Sequence, residues 1–212
     1  MTDPRIKRFL ARLPAAPARL LYVSTTGVYG DAGGALVNED SPLLAGTERG
    51  QRRIEAENRV RGWSAERGVG WTILRVPGIY GPGRLPLERL KRGDPLIRHS
   101  EAGLSSRIHV DDLVSACLLA GSAARAAERI YNVTDGNPAS ITEYLERVAM
   151  QTGLPAPPLV SRAEAEQLLP PEQWSFLAES RRVDSTRIRD ELGFEPTFKD
   201  LRLGILSSLP AL

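Results

Sequence analysis

The chain has 212 residues, of which 42% are hydrophobic and 25% charged; these values are ordinary for a folded domain and exclude a disordered chain. Its 28 basic and 26 acidic residues leave a formal net charge of +2, so no strong field favours nucleic acid as the main partner. A single cysteine, Cys117, excludes an internal disulfide framework, and two histidines with one cysteine are too few soft ligands for a zinc site.

The N-terminal segment predicts a helix over residues 4–13, because Ile6, Phe9, Leu10 and Leu13 fall on one side at helical spacing. The first five residues lack the basic-then-apolar profile of a signal peptide. No apolar run approaches the ~18 residues that a membrane span needs. We therefore expect a cytoplasmic protein that does not contact a membrane.

The next segments alternate between strand and helix. Residues 20–24 form a short apolar run of the kind found in a buried parallel strand, and residues 27–42 are typical of a glycine-rich loop. Residues 49–67 then predict a long helix. One face of this helix carries, in order, Arg49, Arg53, Ala56, Val60 and Trp63.

A second strand is predicted over residues 71–76, followed by a loop to Arg84 and a short helix near residues 87–92. Asp111 and Asp112 look like N-caps of the next helix. The remaining predicted elements are a strand over 130–133, a helix over 140–151, a rigid linker at 155–158 and a mostly helical, polar segment over 162–212. Strand, helix, strand, long crossover and strand together indicate an α/β fold built on a parallel sheet.

Four segments carry a family resemblance. Their sequences are LYVSTTGVYG at 21–30, RVPGIYGPG at 75–83, IHVDDL at 108–113, and YNV at 131–133 followed by Gly136. Together, over residues 20–140, they resemble the extended short-chain dehydrogenase/reductase family, the NAD-dependent epimerase/dehydratases. Each motif is weak alone, whereas four in the family's order are fairly specific.

The resemblance implies a partial Rossmann-like parallel sheet with flanking helices and a small substrate-binding lobe. Residues 1–136 would be what remains of the NAD(P)-binding domain, with a substrate-lobe insertion at about 84–107, and residues 137–212 would be the C-terminal part of that lobe. The implied activity is NAD(P)-linked oxidation, reduction or epimerisation of a small metabolite or sugar derivative that bears a hydroxyl or carbonyl group.

Matching the motifs residue by residue implies a set of site residues. The hydroxyl of Thr25 would hydrogen-bond the substrate oxygen, or else satisfy backbone at the strand end. Tyr29 and Tyr80 would be stand-in acids, unless each packs its ring in the core with its hydroxyl bonded, and His109 is expected to be a core residue. The NAD or NADP site would comprise Ser24, Arg75, Pro77, Gly78 and Ile79, although residues 77–79 could equally be a turn. The substrate site would comprise Tyr80, Arg84 and Arg107.

Two family features have no counterpart in this sequence. The family begins with a strand and a glycine-rich loop whose backbone N–H groups hold the pyrophosphate. Nothing before Leu20 matches that unit, so we expect an N-terminally shortened form with weak or absent NAD(P) binding. The family's Tyr-x-x-x-Lys pair, counted back from Glu57, falls on Arg49 and Arg53.

Arginine in those two places supplies positive charge but no exchangeable proton. The replacement resembles atypical members of the superfamily and makes turnover doubtful. If Arg49 or Arg53 faces the cleft, a carboxylate or a bound anion should lie nearby, because an unpaired buried charge costs several kcal/mol. The alternative is a salt bridge at the surface.

The substrate lobe also departs from the family pattern. Ser105 stands where nucleotide-sugar enzymes of the family tend to place a diphosphate-binding arginine, three residues before Ile108, and Arg107 stands one residue before it. A UDP-sugar substrate is therefore in doubt. The sequence leaves open which small hydroxyl- or carbonyl-bearing compound is used.

Two alternatives remain open. The chain could be a non-catalytic binding or interaction module, because a strand at 20–24 without the family's leading strands would offer unpaired backbone groups to another chain. It could also be a fragment of a longer reductase whose start lies upstream. By resemblance, a homodimer would form through the helix at 49–67 or through the strand edge at 20–24.

Overall fold

The computed structural model describes residues 4–210. Its strands are β1 (Arg19–Thr25), β2 (Leu36–Val37), β3 (Gly70–Val76), β4 (Gly78–Tyr80), β5 (Leu96–Ile97), β6 (Leu104–Ser105), β7 (Arg107–His109), β8 (Arg129–Asn132), β9 (Ala139–Ser140), β10 (Leu159–Val160) and β11 (Arg182–Val183). Its helices are α1 (Pro4–Ala11), α2 (Glu48–Arg67), α3 (Leu87–Arg92), α4 (Val110–Ser122), α5 (Ile141–Thr152), α6 (Arg162–Leu168), α7 (Pro171–Leu177), α8 (Thr186–Leu192) and α9 (Leu201–Ser207).

The central sheet has the strand order β1-β3-β8, and both pairings are parallel. Successive residues of β3 alternate between its two faces. Leu74 packs in a buried cluster with Leu113 of α4 and Ile188 of α8, whereas Arg75 bonds to Glu57 of α2 on the other face. Helices therefore cover both faces, as a parallel sheet requires. The prediction of an α/β fold with a partial Rossmann-like sheet is confirmed.

One edge of this sheet is formed by β1, which pairs with β3 alone within residues 4–210. Val23 in this strand is 39% exposed. Arg19 ties the start of β1 to the end of α4, because its Nη1 donates to the carbonyls of Ala120 at 3.1 Å and Ala123 at 2.6 Å. The outer edge of β1 is thus open in the described part of the chain.

A second buried cluster forms a lobe beside the sheet. Its members are Tyr80, Leu90, Leu96, Tyr144, Leu145, Val148, Ala149, Leu201 and Ile205. Short strand pairs link the lobe to the rest of the chain: β5 with β10, β4 with β7 and β2 with β11 are parallel, and β6 with β9 is antiparallel. Helix α8 lies in the C-terminal segment but packs beside β8 in the first cluster. The division at residue 136 stays a prediction.

Most element predictions agree with the structure. The three predicted central strands, the long helix and the helix after Ser140 each match an observed element to within one residue at either end. The first helix ends at Ala11 rather than at residue 13, and the predicted loop at 27–42 overlaps a helical turn, Thr26–Tyr29, and contains β2. In the described part, no helix is both long enough and apolar enough to cross a bilayer.

The prediction that Asp111 and Asp112 cap α4 is wrong. His109 is the N-cap, because its Nδ1 accepts the backbone N–H of Asp111 at 3.2 Å. Asp112 is buried, and its carboxylate accepts the N–H groups of Thr197 and Phe198 at 2.8 and 3.0 Å. These bonds hold the C-terminal segment against α4, a tertiary contact that no local pattern indicates.

Candidate functional site

A cavity of about 520 Å³ opens at the carboxyl ends of β1 and β3. Thr25 ends β1, Pro77 follows β3, and Gly78, Ile79 and Tyr80 form β4; all of them line the cavity. The opposite wall comes from α3, α5 and α7 of the lobe side. In open α/β sheets, ligands bind outside the carboxyl ends of the strands. This cavity is therefore the candidate site.

Thr25 presents its hydroxyl at the end of β1. Its Oγ1 accepts the N–H of Gly27 at 3.1 Å and thereby caps the helical turn Thr26–Tyr29. Within residues 4–210, the Thr25 O–H donates no hydrogen bond. The two roles considered for this residue, a backbone cap and a donor to a ligand, are therefore compatible in one side chain.

A buried network joins β1, β3 and α2 close to the strand ends. Arg75 donates from Nη2 to Oε2 of Glu57 at 2.8 Å, and the hydroxyl of Ser24 donates to Oε1 of the same carboxylate at 2.5 Å. Arg75 also donates to Oη of Tyr29 at 3.0 Å, and Tyr29 donates to Oδ1 of Asn132 at 2.8 Å. Burial is the main cause that raises the pKa of Tyr29, so this phenol keeps its proton.

Three predicted site residues lie in this network and outside the cavity lining: Ser24, Tyr29 and Arg75. Ser24 and Arg75 were expected at the cofactor, but their polar groups are occupied in joining strand to helix. For Tyr29, the alternative holds: its ring is buried and its hydroxyl is bonded. The resemblance does not say which side of the sheet these side chains face.

Arg49 and Arg53 are the two arginines expected at the places of the family's Tyr-x-x-x-Lys pair, and only Arg49 lines the cavity. Its Cζ lies 3.7 Å from the centroid of the Phe176 ring. Partial burial is the main cause that lowers the pKa of Arg49, while the Glu179 carboxylate opposes that shift. Arg53 instead donates to Oη of Tyr22 at 2.9 Å. Glu179 is thus a carboxylate that attracts Arg49 in the cleft, and the catalytic role of Arg49 stays a prediction.

Tyr80 reaches the cavity from β4 with a buried ring. Its Oη is buried and has no hydrogen-bond partner within residues 4–210. Burial is the main cause that raises the pKa of Tyr80 far above its ordinary value, so the phenol holds its proton. His109 lies edge-on to this ring at a centroid separation of 5.2 Å and is itself buried. His109 is thus a core residue, as expected.

Arginines dominate the charge of the cavity. Its lining includes Arg49, Arg84, Arg89, Arg92, Arg107 and Arg181, against the carboxylates Glu172 and Glu179. Two of these arginines are paired: Arg181 with Glu179 at 2.8 Å, and Arg92 with Asp94 at 2.7 Å. Neither lysine nor histidine from residues 4–210 contributes to the lining. The cavity therefore suits an anionic ligand.

Sequence reasoning missed three of these arginines, Arg89, Arg92 and Arg181. Arg89 and Arg92 are three residues apart on α3, a spacing that places both on one helix face and that could have indicated a shared target. Arg181 comes from a distant part of the chain, and no local pattern indicates it. Of the predicted site residues, the structure brings together Thr25, Arg49, Pro77, Gly78, Ile79, Tyr80, Arg84 and Arg107. Within residues 4–210, no group of three His, Cys, Asp or Glu side chains could hold a metal ion.

Comparison with known proteins gives a consistent family. Residues 7–134 match the model of the NAD dependent epimerase/dehydratase family. A 3-diazoavenalumate denitrifying reductase from a Streptomyces species is 28% identical over 90% of this chain, and the protein YeeZ of Escherichia coli K12 is 28% identical over 86%. The chain spans 65% of the length of the first relative and 59% of the second.

Solved structures show the same fold. A functionally unknown conserved protein from Silicibacter pomeroyi superposes with a TM-score of 0.80 and 33% identity, covering 97% of this chain and 72% of that one. MoeE5, solved in complex with UDP-glucose and NAD, gives a TM-score of 0.75 at 24% identity, covering 96% of this chain and 68% of that one. At that identity, the second likeness concerns the fold alone.

Proposed function

The chain belongs to the NAD dependent epimerase/dehydratase family, and from this premise we propose that its cavity receives the nicotinamide of NAD or NADP beside a small substrate that bears a hydroxyl or carbonyl group. The nicotinamide, when bound, supplies or accepts a hydride. One observation carries the proposal: Thr25 and the segment at residues 77–79 face the same cavity as the lobe that would hold the substrate. The two reacting partners would then meet between sheet and lobe.

The cavity wall suits the nicotinamide end of the cofactor. Gly78 is exposed and has no side chain, so a planar amide can approach its backbone closely. Thr25 contributes a hydroxyl whose O–H is uncommitted within residues 4–210. Pro77 and Ile79 add apolar surface on either side of Gly78. These four residues would position a ring and the substrate oxygen beside it.

The described residues fit the pyrophosphate of the cofactor less well than its nicotinamide. A dinucleotide needs free backbone N–H groups at a helix N-terminus. The helical segments that start near the strand ends have these groups capped by their own side chains: Thr25 accepts from Gly27, and His109 accepts from Asp111. We therefore propose that residues 4–210 alone bind NAD(P) only weakly, through its nicotinamide end.

Proton transfer is the second weak point. Arg49, at the place of the family tyrosine, keeps its proton because a guanidinium does not deprotonate in proteins. Burial raises the pKa of Tyr80, which leaves this phenol a poor acid near neutrality. The described residues can orient a substrate and stabilise negative charge on it, but neither Arg49 nor Tyr80 is suited to shuttle a proton. Slow turnover, or none, is the expected result for this chain.

Calorimetric titration with the nicotinamide half of the cofactor and with the whole cofactor tests the proposal. If only the nicotinamide end is held, reduced nicotinamide mononucleotide and NADH should bind with similar, weak affinities, and Thr25→Val should weaken both. Thr197→Val, an exposed threonine outside the cavity, is the matched control. Low-micromolar NADH binding would contradict the weak pyrophosphate site, and no binding of either molecule would remove the nicotinamide assignment.

A non-catalytic interaction module is the second candidate, favoured by the open edge of β1. Unpaired N–H and C=O groups along such an edge can accept a strand from another chain. A fragment of a longer reductase would use the same edge for its own remaining strands. The homodimer through α2 or through residues 20–24, and the cytoplasmic location, stay predictions.

A further inference from the structure

Arg107 buries its charge at the wall of the cavity. The residue is 5% exposed. Its Nη1 donates to the carbonyl of Ala139 at 2.9 Å, its Nη2 donates to that of Ser140 at 3.4 Å, and its Cζ lies 4.4 Å from the centroid of the Tyr144 ring. Burial is the main cause that lowers the pKa of Arg107, but an arginine stays protonated. A full positive charge is therefore held here by carbonyls and a ring.

No carboxylate neutralises that charge at close range. Within residues 4–210, Arg107 forms no ion pair at 4.0 Å or less; Asp135 and Glu143 attract it from farther away. Glu143 is paired with Arg147 at 2.6 Å. Burial raises the pKa of Asp135 to about 7, so this carboxyl is only partly charged near neutral pH. A buried charge without a close counter-ion is costly, and a bound anion would remove that cost.

Other cavity residues also have unmet hydrogen-bonding capacity. Buried polar atoms are nearly always partnered in folded proteins. Within residues 4–210, six buried side-chain atoms lack a partner, and three of them belong to the cavity lining: Oη of Tyr80, Nε of Arg89 and Oε1 of Gln173. All three atoms are closed to solvent, and Oη of Tyr80 lies against Gly204, so a ligand would contact them only after local rearrangement.

Part of the cavity wall is apolar. It is formed by Ile79, Leu104, Ile141, Phe176, Leu177 and Val183. Ser105, two residues before Arg107, donates its hydroxyl to the carbonyl of Ala139 at 3.2 Å, so no second guanidinium stands beside Arg107 on this segment. Among the arginines of the lining, Arg107 alone is buried. This buried guanidinium, with apolar residues on the same wall, matches a ligand that has an oxyanion on a hydrophobic body.

We propose that the substrate of this cavity is a small organic acid, whose carboxylate or phosphate pairs with Arg107 while its apolar body lies against Ile79, Ile141 and Phe176. The inference rests on the proposed function in taking the cavity as the substrate site. It extends that function by assigning a negative charge to the substrate and by naming Arg107 as the residue that binds this charge.

Calorimetric titrations without cofactor test this inference with ligands matched in shape. The acids are benzoate and phenyl phosphate, the neutral counterpart is benzamide, and UDP is the nucleotide probe. We expect the acids to bind at least tenfold more tightly than benzamide. Arg107→Gln should bring that ratio to about one without changing benzamide binding, and Arg107→Lys should keep part of it. Arg98→Gln, an exposed arginine outside the cavity, should leave the ratio unchanged.

Several results would overturn the inference. They are equal binding of acid and amide, an acid preference that survives in Arg107→Gln, and no binding of either acid up to about 10 mM, ten times the concentration of a millimolar Kd. UDP binding tenfold tighter than phenyl phosphate would assign Arg107 to a nucleotide instead. If Arg107→Gln does not fold, the ratio of acid affinity to benzamide affinity in the unchanged protein decides whether the cavity prefers an acid.

The outcome is separable from that of the proposed function. Acid binding without any nicotinamide binding supports the inference and removes the redox proposal. Nicotinamide binding without acid preference leaves the redox proposal and removes the inference.

Discussion

Arg75 and Glu57 form a buried ion pair that joins β3 to α2, with 2.8 Å between Nη2 and Oε2 and only 3% of each side chain exposed. The pair lies behind the strand ends that shape the cavity, and it also anchors Ser24 and Tyr29. It therefore links the stability of the sheet to the geometry of the site.

Removing one member of this pair should destabilise the fold strongly. Glu57→Gln leaves the Arg75 charge buried without a counter-ion, and we expect a loss of about 3–5 kcal/mol in the free energy of unfolding, measured in urea by circular dichroism. The exposed pair Arg52–Glu48, 3.8 Å apart, is the matched control, and Glu48→Gln should cost less than about 0.5 kcal/mol. Similar losses in both variants would show that the buried pair contributes no more to stability than the exposed one.

Asp135 should make stability depend on pH. Burial raises its folded pKa to about 7, above the unfolded value of about 3.9. The folded state therefore binds more protons between those two values, and stability falls as the pH rises through this window. At about 1.4 kcal/mol per pKa unit, the fall should reach a few kcal/mol.

Asp135→Asn is the variant that checks this. The amide can still accept the N–H of Asn137, a bond of 2.9 Å, but it carries no charge. Urea unfolding from pH 4.5 to pH 8 should show a flatter profile for the variant and a gain in stability at the alkaline end. Asp184→Asn, where the carboxylate bonds Thr186 at a less buried site, should keep the original slope. An unchanged slope in Asp135→Asn would contradict the assignment.

Gly204 and Tyr80 should be coupled by close packing. A Cβ at Gly204 would lie 2.3 Å from Oη of Tyr80, so Gly204→Ala should destabilise the protein by about 1–3 kcal/mol through overpacking. Tyr80→Phe removes an oxygen that has no partner in the described structure and should cost little. The double variant should therefore recover only part of the loss, because Cε2 and Cζ of the ring would still lie 2.8 and 2.9 Å from the added Cβ; thermal unfolding can measure this non-additivity.

A glycine in open space provides the comparison. Gly121→Ala in α4 meets nothing within 4 Å and should stabilise the helix by about 0.5–1 kcal/mol. Additive effects for Gly204→Ala and Tyr80→Phe would mean that the backbone yields and the two residues are independent.

The open edge of β1 predicts a concentration-dependent association. Val23, 39% exposed in this strand, should be replaceable by lysine without loss of fold, and Val23→Lys should oppose edge pairing because charged residues protect such edges. Light scattering should then show less self-association than for the unchanged chain. Met150→Lys, exposed on α5, is the control. A clean monomer at high concentration before any substitution would contradict association through this edge.

The local patterns of this chain indicated the main elements well. The apolar runs at residues 20–24 and 71–76 are β1 and β3, and the long helix predicted at residues 49–67 is α2. Each element lies within a residue of its predicted bounds. Such elements are readable because a strand buried on both faces must be continuously apolar, and a covering helix must repeat its apolar face. The family motifs indicated the family to which the chain belongs.

The orientation of polar side chains was decided only by the tertiary structure. Ser24 and Thr25 are neighbours in sequence, yet one bonds Glu57 in the interior and the other lines the cavity, because a strand turns alternate residues to opposite faces. Arg181 and Arg107 reach the same cavity from segments far apart in the chain. Composition and spacing thus determined the α/β framework, because the periodicity of apolar residues within each segment sets whether it forms a helix or a strand. The charge of the site arose from contacts between distant segments, which depend on how the lobe packs against the sheet.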